Sequence, residues 1–489
     1  MDGRCTIDQI NFEEMITMNL KTNLNTKLST CGQEHLIDYL SKINPESVKN
    51  SICSQLESID FEELKALIEK YVRNYTPSPS PDSVEPAKYY GLDGDWDREL
   101  FTNKGEDLIR ESKIACFTVA GGQGSRLGYE GPKGCYPTSC INEKPLFQIF
   151  AEGILATSKK YTAKVPWYIM TSPLNHQATI AFFDKHDYFG LDQDDVMFFE
   201  QCVMPSLDAE NGQILMADPI HLATNPDGHG GAFKALAVSG ALEDMHRRGI
   251  EHMSYFQVDN PHTRVIDPTF IGLHAYADDS SAEFSSKMVS KASWDEKVGV
   301  FCEVNGSTEI IEYSDLDVDL AQKMTTDGKL AFNAGSIAIH AISVEFIDKV
   351  SSNPEYALPF HRALKKVSYF DLTTGLAVSP EENNAVKLEK FVFDGIPLAT
   401  KSIVVETSRV EEFAPVKNAS GSDSIISSKR IQSQRAANWL ENAGVEIPYA
   451  KDGSVDAVIE ISPLTALCSE DLQGVKLPDR IESGSQVIL

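Results

Sequence analysis

Apolar residues recur three and four positions apart from residue 1 to about residue 75, as in HLIDYLSKI and FEELKALIEKYV. This spacing is typical of amphipathic helices, so we predict several short helices there. They either pack against the main domain or form a partner-binding module. The segment TPSPSPDSVEPAK follows with four prolines, which remove backbone donors and end helices. We therefore predict a helical N-terminal region with a linker over residues 1–105.

From Lys113 onward the pattern changes to short apolar runs that alternate with helical segments. KIACFTVA, VPWYIM, VMFFE and HMSYFQV are typical of buried strands, and PLFQIFAEGILATSKKY and a long stretch from Gly231 to about Arg247 are typical of helices. Alternating strands and helices predict an α/β fold with a doubly wound, mostly parallel, Rossmann-like sheet. We assign residues 106–405 to this α/β domain and residues 406–489 to a small C-terminal α+β domain.

Ligands of parallel sheets bind beyond the carboxyl ends of the strands. Three loops at such ends are therefore candidates for chemistry, residues 121–134, 200–206 and 259–261. The chain is 42% apolar and 24% charged, as globular proteins are. Its formal net charge of −28 disfavours nucleic acid or an anionic membrane as the main partner. A phosphate substrate would have to be attracted by a few local cations and backbone amides.

The cysteine pattern and the N-terminus bear on the compartment. Nine cysteines are present, an odd number, and none stand in a Cys-x-x-Cys or zinc-binding spacing. A disulfide framework is therefore not expected, which favours a reducing compartment. The N-terminal residues MDGRCTIDQINFEEM lack the apolar segment of a signal peptide, and no stretch reaches the ~18 to 20 apolar residues that span a bilayer. We predict a cytoplasmic location.

The strongest chemical signal is a glycine-rich loop directly after the first predicted strand. It reads Ala120-Gly-Gly-Gln-Gly-Ser-Arg-Leu-Gly128 and continues as Gly131-Pro-Lys-Gly134. Glycines let a backbone approach a ligand closely and turn amides toward it, and Arg126 and Lys133 add positive charge beside them. Neither the dinucleotide pattern Gly-x-Gly-x-x-Gly nor the Walker pattern fits. This disfavours a nicotinamide-linked oxidoreductase and favours the binding of a triphosphate; the simplest alternative is a glycine-rich turn with two incidental cations.

With these motifs the chain resembles the UTP-dependent sugar pyrophosphorylases, and among them the eukaryote-type UDP-N-acetylhexosamine pyrophosphorylases. The resemblance extends from about Gly121 to Ala419. Besides the glycine loop it rests, in chain order, on FFEQCVMP, PDGHGGAFKAL, Val258-Asp259-Asn260, Val298-Gly299-Val300, Glu312-Tyr313-Ser314, Phe332-Asn-Ala-Gly335, KLEKFVFD and PVKNA. It implies UTP and a sugar 1-phosphate as substrates, pyrophosphate as a product, and Mg²⁺ as cofactor with Mn²⁺ as a substitute.

The resemblance also implies roles for individual residues. The implied catalytic residues are Arg126, Lys133 and Lys417, which neutralise phosphates. The implied nucleotide-binding residues are Ala120, Gly121, Gly122, Gln123, Gln201, Gly228, Asp259 and Lys387, and Asp259 also binds the metal ion. The implied sugar-binding residues are His229, Gly299, Glu312, Tyr313, Asn333, Ser336, Phe391 and Phe393.

Several of these residues have a plain structural alternative. They are Asp259 as a turn cap before Pro261, Lys387 and Lys417 as surface lysines, Glu312 as an edge-strand carboxylate, and Phe391 and Phe393 as core residues of a strand. His340 is interpreted as a structural or surface residue.

Two positions depart from the hexosamine branch, which typically has Asn at the places of His229 and Ser336. Both positions would lie near the sugar. N-acetylglucosamine 1-phosphate is our first choice of substrate, and a hexose 1-phosphate such as glucose 1-phosphate is the alternative. A non-catalytic regulator that binds nucleotide sugars is an alternative of another class. The oligomeric state, monomer or homodimer, stays open.

Overall fold

The computed structural model describes residues 23–77, residue 81 and residues 83–489. Residues 23–30 are helical, and the helices that follow are α1 (Glu34–Lys42), α2 (Glu46–Glu57), α3 (Phe61–Ile68), α4 (Arg98–Arg110), α5 (Leu146–Tyr161), α6 (His176–Lys185), α7 (Ala232–Val238), α8 (Ala241–Arg248), α9 (Pro268–Tyr276), α10 (Val318–Ala321), α11 (Val344–Ser352), α12 (Arg409–Glu412) and α13 (Ile425–Asn442). The strands are β1 (Val84–Pro86), β2 (Ile114–Val119), β3 (Trp167–Thr171), β4 (Val196–Glu200), β5 (Val203–Pro205), β6 (Leu207–Asp208), β7 (Thr224–Pro226), β8 (His252–Gln257), β9 (Phe284–Ser290), β10 (Val300–Val304), β11 (Ser307–Ile311), β12 (Ala334–Ser343), β13 (His361–Lys365), β14 (Tyr369–Asp371), β15 (Leu376–Val378), β16 (Ala385–Glu389), β17 (Ser402–Glu406), β18 (Val458–Glu460) and β19 (Gln486–Ile488).

One compact unit contains the described residues of Met1–Ser80, Val203–Gly228 and Phe360–Lys390. In it, β16 pairs antiparallel with β13 and β6, and β5 pairs with β7. The N-terminal helices predicted within residues 23–75 are present, and their apolar faces share one core with the two later segments. The part of this prediction that falls on residues 1–22 lies outside the described residues. Members of this core include Leu36, Ile52, Leu56, Leu64, Leu207, Val386 and Leu388. The helices therefore fold onto two distant stretches of the chain.

The other unit contains Pro81–Cys202, His229–Pro359 and Phe391–Leu489. Its main sheet has the strand order β1-β10-β12-β8-β2-β3-β4, with β11, β9 and β17 paired off this path. The inner strands β8, β2, β3 and β4 are parallel to one another, and β12 joins β8 antiparallel. The predicted α/β fold with mostly parallel central strands is confirmed. The domain limits at residues 105 and 405 stay predictions.

Both faces of the parallel strands are covered, as the apolar runs required. Along β2, Ile114 and Cys116 belong to one core cluster, and Ala115 and Phe117 to another. Successive residues of a strand point to opposite faces, so a run that is apolar throughout needs helices on both sides. Helices α5 and α9 contribute to the first cluster, and α7 and α11 to the second.

One helix differs in detail from the sequence predictions. The long helix predicted from Gly231 to about Arg247 is interrupted at Gly240, whose φ of 83° is left-handed, so α7 and α8 are separate. Near the C-terminus, α13 packs on β18 through Leu440 and Ile459. Among the described residues, no helix combines the length and apolar character needed to cross a membrane.

The strand register brings the functional loops to one edge of the sheet. Val119, at the end of β2, lies opposite Met170 of β3 and Gln257 of β8. Thr171 lies opposite Glu200 of β4. Since these strands are parallel, the loops that follow them leave from the same edge. The glycine loop, residues 172–175, Gln201 and residues 258–262 therefore meet there.

Candidate active site

The glycine loop is held by two polar side chains that follow β3. Asn175 Nδ2 donates to the carbonyl oxygens of Ala120 (2.9 Å) and Gly122 (3.2 Å), and Ser172 Oγ donates to that of Gly121 (2.9 Å). Asn175 is 1% exposed, and its Oδ1 accepts from the backbone N–H of Ser172. Three successive carbonyls are thus turned into the protein. This arrangement favours presentation of the loop amides to a ligand.

Ser172 and Asn175 were not among the residues selected from the sequence. A signal for them existed, because they stand at the carboxyl end of the predicted strand VPWYIM, where ligand-binding loops begin. Their hydrogen bonds hold the backbone carbonyls of the loop. Sequence motifs for phosphate binding do not include residues with this role.

Gly121 and Gln201 are brought together, as expected of a shared uracil site. Gln201 is 8% exposed, and its backbone N–H donates to the carbonyl of Thr171 (2.8 Å). A methyl group added at Gly121 would overlap Gln201 Oε1, whereas one added at Gly122 would meet no described atom within 4 Å. Position 121 must therefore lack a side chain so that the amide can occupy this place. The assigned roles of these residues stay predictions.

Lys133 and Asp259 form an ion pair across the edge of the sheet. Lys133 Nζ lies 3.6 Å from Asp259 Oδ2, and the two side chains are 17% and 15% exposed. Lys133 is placed by its own N–H, which donates to the carbonyl of Gly122 (3.1 Å). Asp259 is placed by β8, since the N–H of Val258 donates to the carbonyl of Val119 (3.1 Å). A cation and a carboxylate therefore stand side by side at the end of the glycine loop.

Lys417 reaches the same region from a distant part of the chain. The N–H of Val416 donates to the carbonyl of Asp259 (2.8 Å), and the N–H of Lys417 donates to that of Asp423 (2.6 Å). Burial raises the pKa of the Asp423 carboxyl; the nearby charge of Lys417 lowers it, and that of Asp259 raises it. Two cations and two carboxylates thus influence one another at this edge.

The glycine loop also contains Gln123, Gly124 and Arg126. Arg126 lies in the short 3-10 helix Ser125–Leu127, and its side chain is exposed. Gln123 Nε2 donates to the carbonyl of Leu174 (3.3 Å), which ties the loop to the turn after β3. The loop itself is closed by the N–H of Gly124, which donates to the carbonyl of Gly131 (2.9 Å).

Three half-buried rings stack next to one another. The ring of His229 lies 5.3 Å from that of Phe391 and 5.7 Å from that of Phe393, and the two Phe rings are 5.0 Å apart. The backbone N–H of Val392 donates to His229 Nδ1 (3.0 Å), so the neutral imidazole carries its proton on Nε2. His340 is buried, and burial together with a smaller contribution from the nearby His229 lowers its pKa to about 3. This aromatic surface suits the apolar face of a sugar ring.

Most of the other predicted sugar-binding residues lie on the antiparallel side of the sheet. The N–H of Ser336 donates to the carbonyl of Gly299 (2.8 Å), and a methyl group on Gly299 would lie 3.7 Å from Glu312 Oε1. Asn333 Nδ2 donates to the hydroxyl of Tyr89 (3.4 Å), a residue that was not selected from the sequence. Tyr313 is 47% exposed.

Two predicted nucleotide-binding residues belong to the first compact unit. Gly228 has a φ of 83°, and a methyl group added there would overlap the carbonyl oxygen of Lys390, so this position requires glycine. Lys387 lies on β16, opposite Ala363 of β13, and is half-buried. Within the described residues, no three His, Cys, Asp or Glu side chains converge as a metal cluster.

A known family of proteins matches most of the chain, including this edge of the sheet. A sequence model of the family described as UTP–glucose-1-phosphate uridylyltransferase matches residues 65–443. The chain belongs to this family.

Two relatives and one solved structure show which kind of protein the chain resembles. The chain is 35% identical over 472 residues to UDP-N-acetylhexosamine pyrophosphorylase-like protein 1 of Xenopus tropicalis, covering 90% of this chain and 91% of that one. It is 35% identical over 458 residues to UDP-N-acetylglucosamine pyrophosphorylase of Saccharomyces cerevisiae, covering 92% and 93%. The solved uridine diphosphate N-acetylglucosamine pyrophosphorylase of Trypanosoma brucei has a like fold, with a TM-score of 0.78 and 23% identity over 96% of this chain and 98% of that one.

Proposed function

We propose that this protein makes UDP-N-acetylglucosamine and pyrophosphate from UTP and N-acetylglucosamine 1-phosphate. The observation that carries the proposal is the Lys133–Asp259 pair beside the loop in which Gly121 meets Gln201. In these residues, the Gln201 amide would bind the nucleobase, Lys133 would bind phosphate and the Asp259 carboxylate would bind the metal ion. Family membership as a UTP:sugar-1-phosphate uridylyltransferase and the names of the relatives support the same reaction.

The chemistry needs no protein nucleophile. An oxygen of the sugar phosphate is already anionic; it bonds to the α phosphorus of UTP while the bond from that phosphorus to the bridging oxygen breaks, and pyrophosphate leaves with the electron pair. The obstacle is repulsion between two polyanions, together with charge that develops during transfer. Lys133, Arg126 and Lys417 supply positive charge, and the held loop aligns the nucleotide in line with the sugar phosphate.

The residues present fit a bound Mg²⁺, for which Mn²⁺ is a substitute. The backbone carbonyl of Asp259 accepts from the N–H of Val416, and its carboxylate, which lies 3.6 Å from Lys133 Nζ, is the group that would bind the ion. Mg²⁺ is commonly bound by one or two carboxylates together with substrate phosphates. When bound, the ion would neutralise phosphate charge. We assign Asp259 as its protein ligand.

The sugar would bind against the His229, Phe391 and Phe393 rings, with polar groups from the side that carries Gly299, Glu312, Asn333 and Ser336. His229 Nε2–H is a donor that can reach a carbonyl or hydroxyl oxygen. An acetamido group offers such a carbonyl and a hexose offers such a hydroxyl, so the choice of N-acetylglucosamine as the first substrate is supported by the names of the relatives. We further propose a cytoplasmic location, since none of the described cysteines forms a disulfide.

The test is pyrophosphate release from UTP and Mg²⁺ with the 1-phosphates of N-acetylglucosamine, N-acetylgalactosamine, glucose and galactose. We expect the highest kcat/KM with N-acetylglucosamine 1-phosphate. Lys133→Ala should lower kcat roughly 100-fold, because one well-aimed donor in a polar site contributes that much. The matched control is Lys164→Ala, which removes an exposed lysine that lies 3.5 Å from Asp195.

Each outcome separates the alternatives. A preference for glucose 1-phosphate would favour the hexose substrate, and nucleotide-sugar binding without pyrophosphate release would favour a regulator. Equal activity of Lys133→Ala and Lys164→Ala would refute the assigned site.

A further inference from the structure

Asn260, next to the proposed metal ligand, is buried and uses its amide to bind a distant segment. It is 4% exposed. Its Nδ2 donates to the carbonyl of Glu412 (2.6 Å), and its Oδ1 accepts from the N–H groups of Ala414 (3.0 Å) and His262 (3.3 Å). No substrate role has been assigned to this residue, and both the nitrogen and the oxygen of its amide bond the protein.

The contacts of Asn260 are the centre of a regular set of hydrogen bonds. His262 Nδ1 bonds the carbonyl of Val410 (3.0 Å), and the N–H of Val416 donates to the carbonyl of Asp259 (2.8 Å). With the two bonds of Asn260, every second residue from 410 to 416 is therefore fixed to residues 259–262. We call this set the 259–416 clamp. It sets the register of the residue that follows Val416, which is Lys417.

The side chain at position 260 must both donate and accept for the clamp to form. Asparagine meets this demand with one planar group, since its amide provides two donors and an acceptor. Aspartate would keep the acceptor but could not donate to the carbonyl of Glu412. Alanine would leave the N–H of Ala414 and the carbonyl of Glu412 without these bonds in a buried place, where backbone groups are normally paired.

We propose that Asn260 is a positioning residue for uridylyl transfer, because it fixes the segment that carries Lys417 in register with Asp259. The proposal rests on the proposed function, in which Lys417 and Asp259 act on the same phosphates. Loss of the clamp would leave both groups present but misplaced. A misplacement of about 1 Å can lower a rate about 100-fold.

The kinetic test compares Asn260→Ala with Asn442→Ala. The control removes an exposed amide whose Nδ2 bonds Ser469 Oγ at 3.3 Å. We expect kcat of Asn260→Ala to fall about 100-fold, with KM for both substrates nearly unchanged. We also expect that adding Lys417→Ala costs little more, because the two changes remove the same interaction and their effects are then not additive. Losses that multiply would indicate a merely structural role and overturn the proposal.

Hydrogen exchange supplies a measurement that does not depend on activity. Exchange of the backbone amides at residues 412–417 should speed up in Asn260→Ala and stay unchanged in Asn442→Ala. Unchanged exchange in Asn260→Ala would overturn the clamp even if the wild-type protein were inactive. Wild-type inactivity with all sugar phosphates would instead reject the proposed function. If Asn260→Ala does not fold, Asn260→Asp replaces it, with faster exchange expected because only the donation to Glu412 is lost.

Discussion

Gly121→Ala is the sharpest single test of the nucleotide site. The added methyl group would overlap Gln201 Oε1 and would lie 3.3 Å from Gln201 Cδ and 3.4 Å from Ser172 Cβ. Carbon and oxygen atoms settle at separations of about 3.5 Å, so the Gln201 amide has to move by about 1 Å. The end of a glutamine side chain can shift without disturbing the backbone, and the fold should therefore survive.

We expect Gly121→Ala to weaken the binding of UTP. A displaced Gln201 would lose the hydrogen bonds that we propose it makes to the uracil, and a hydrogen bond between neutral groups contributes about 1 kcal/mol. Two lost bonds amount to about 2 kcal/mol, which corresponds to a roughly 30-fold rise in KM for UTP. Both kcat and KM for the sugar phosphate should change little, because the groups that we propose to contact the reacting phosphates stay in place.

The assay is initial-rate pyrophosphate release with UTP varied at saturating sugar phosphate, combined with the thermal midpoint of unfolding. Gly91→Ala is the matched control, since a methyl group there would make ordinary contacts of 3.5 and 3.8 Å. Because Gly121→Ala acts through Gln201, the double variant Gly121→Ala/Gln201→Ala should resemble Gln201→Ala alone. A normal KM for UTP in a folded Gly121→Ala protein would refute the reasoning.

Two further predictions follow from buried side chains. Asn175→Ala frees the carbonyls of Ala120 and Gly122, which should loosen the glycine loop and weaken UTP binding. Each 1.4 kcal/mol of lost binding free energy raises KM for UTP about tenfold. Steady-state kinetics that show an unchanged KM for UTP would contradict this prediction. Burial lowers the pKa of His340 to about 3 and that of His252 to about 4, below the ordinary 6.5. The unfolded chain therefore takes up protons first, and stability present above about pH 6.5 is lost as the pH falls toward 4. His340→Gln should weaken this pH dependence of the thermal midpoint, and an identical slope would count against it.

The fold class could be predicted because apolar runs and helical periodicity are local signals. The four parallel strands and the helices beside them follow from such runs. The interruption at Gly240 could not be predicted with the same ease, because glycine is tolerated within many helices and only its left-handed φ ends α7. Nor could local patterns show that residues 203–228 and 360–390 share a core with the N-terminal helices, since that depends on pairing across more than a hundred residues.

The candidate site also contains some residues that could be predicted from the sequence and others that could not. Gly121 and Asp259 stand directly after predicted strands, and Lys133 lies at the end of the glycine loop that begins at Gly121, so their meeting at one edge follows from a parallel sheet. Lys417 joins them only through contacts made some 150 residues along the chain. Asn175 and Tyr89 were missed because their partners are backbone carbonyls and another side chain, and neither residue carries a phosphate-binding pattern.

The two buried asparagines, Asn175 and Asn260, show how an acidic protein can build a site for polyanions. Both hold functional loops by donating to backbone carbonyls, a task that carboxylates cannot perform. A lysine could donate, but it would bury an additional charge that needs a partner. A neutral amide orders the loop without changing the local charge, so the charge balance at the edge is set by Lys133, Lys417, Asp259, Asp423 and the substrates. With a net charge of −28 on the whole chain, each carboxylate kept away from this edge reduces repulsion of the phosphates. We therefore expect Asn175→Asp to impair UTP binding more than Asn175→Ala does, and equal values of KM for UTP in the two variants would contradict this account.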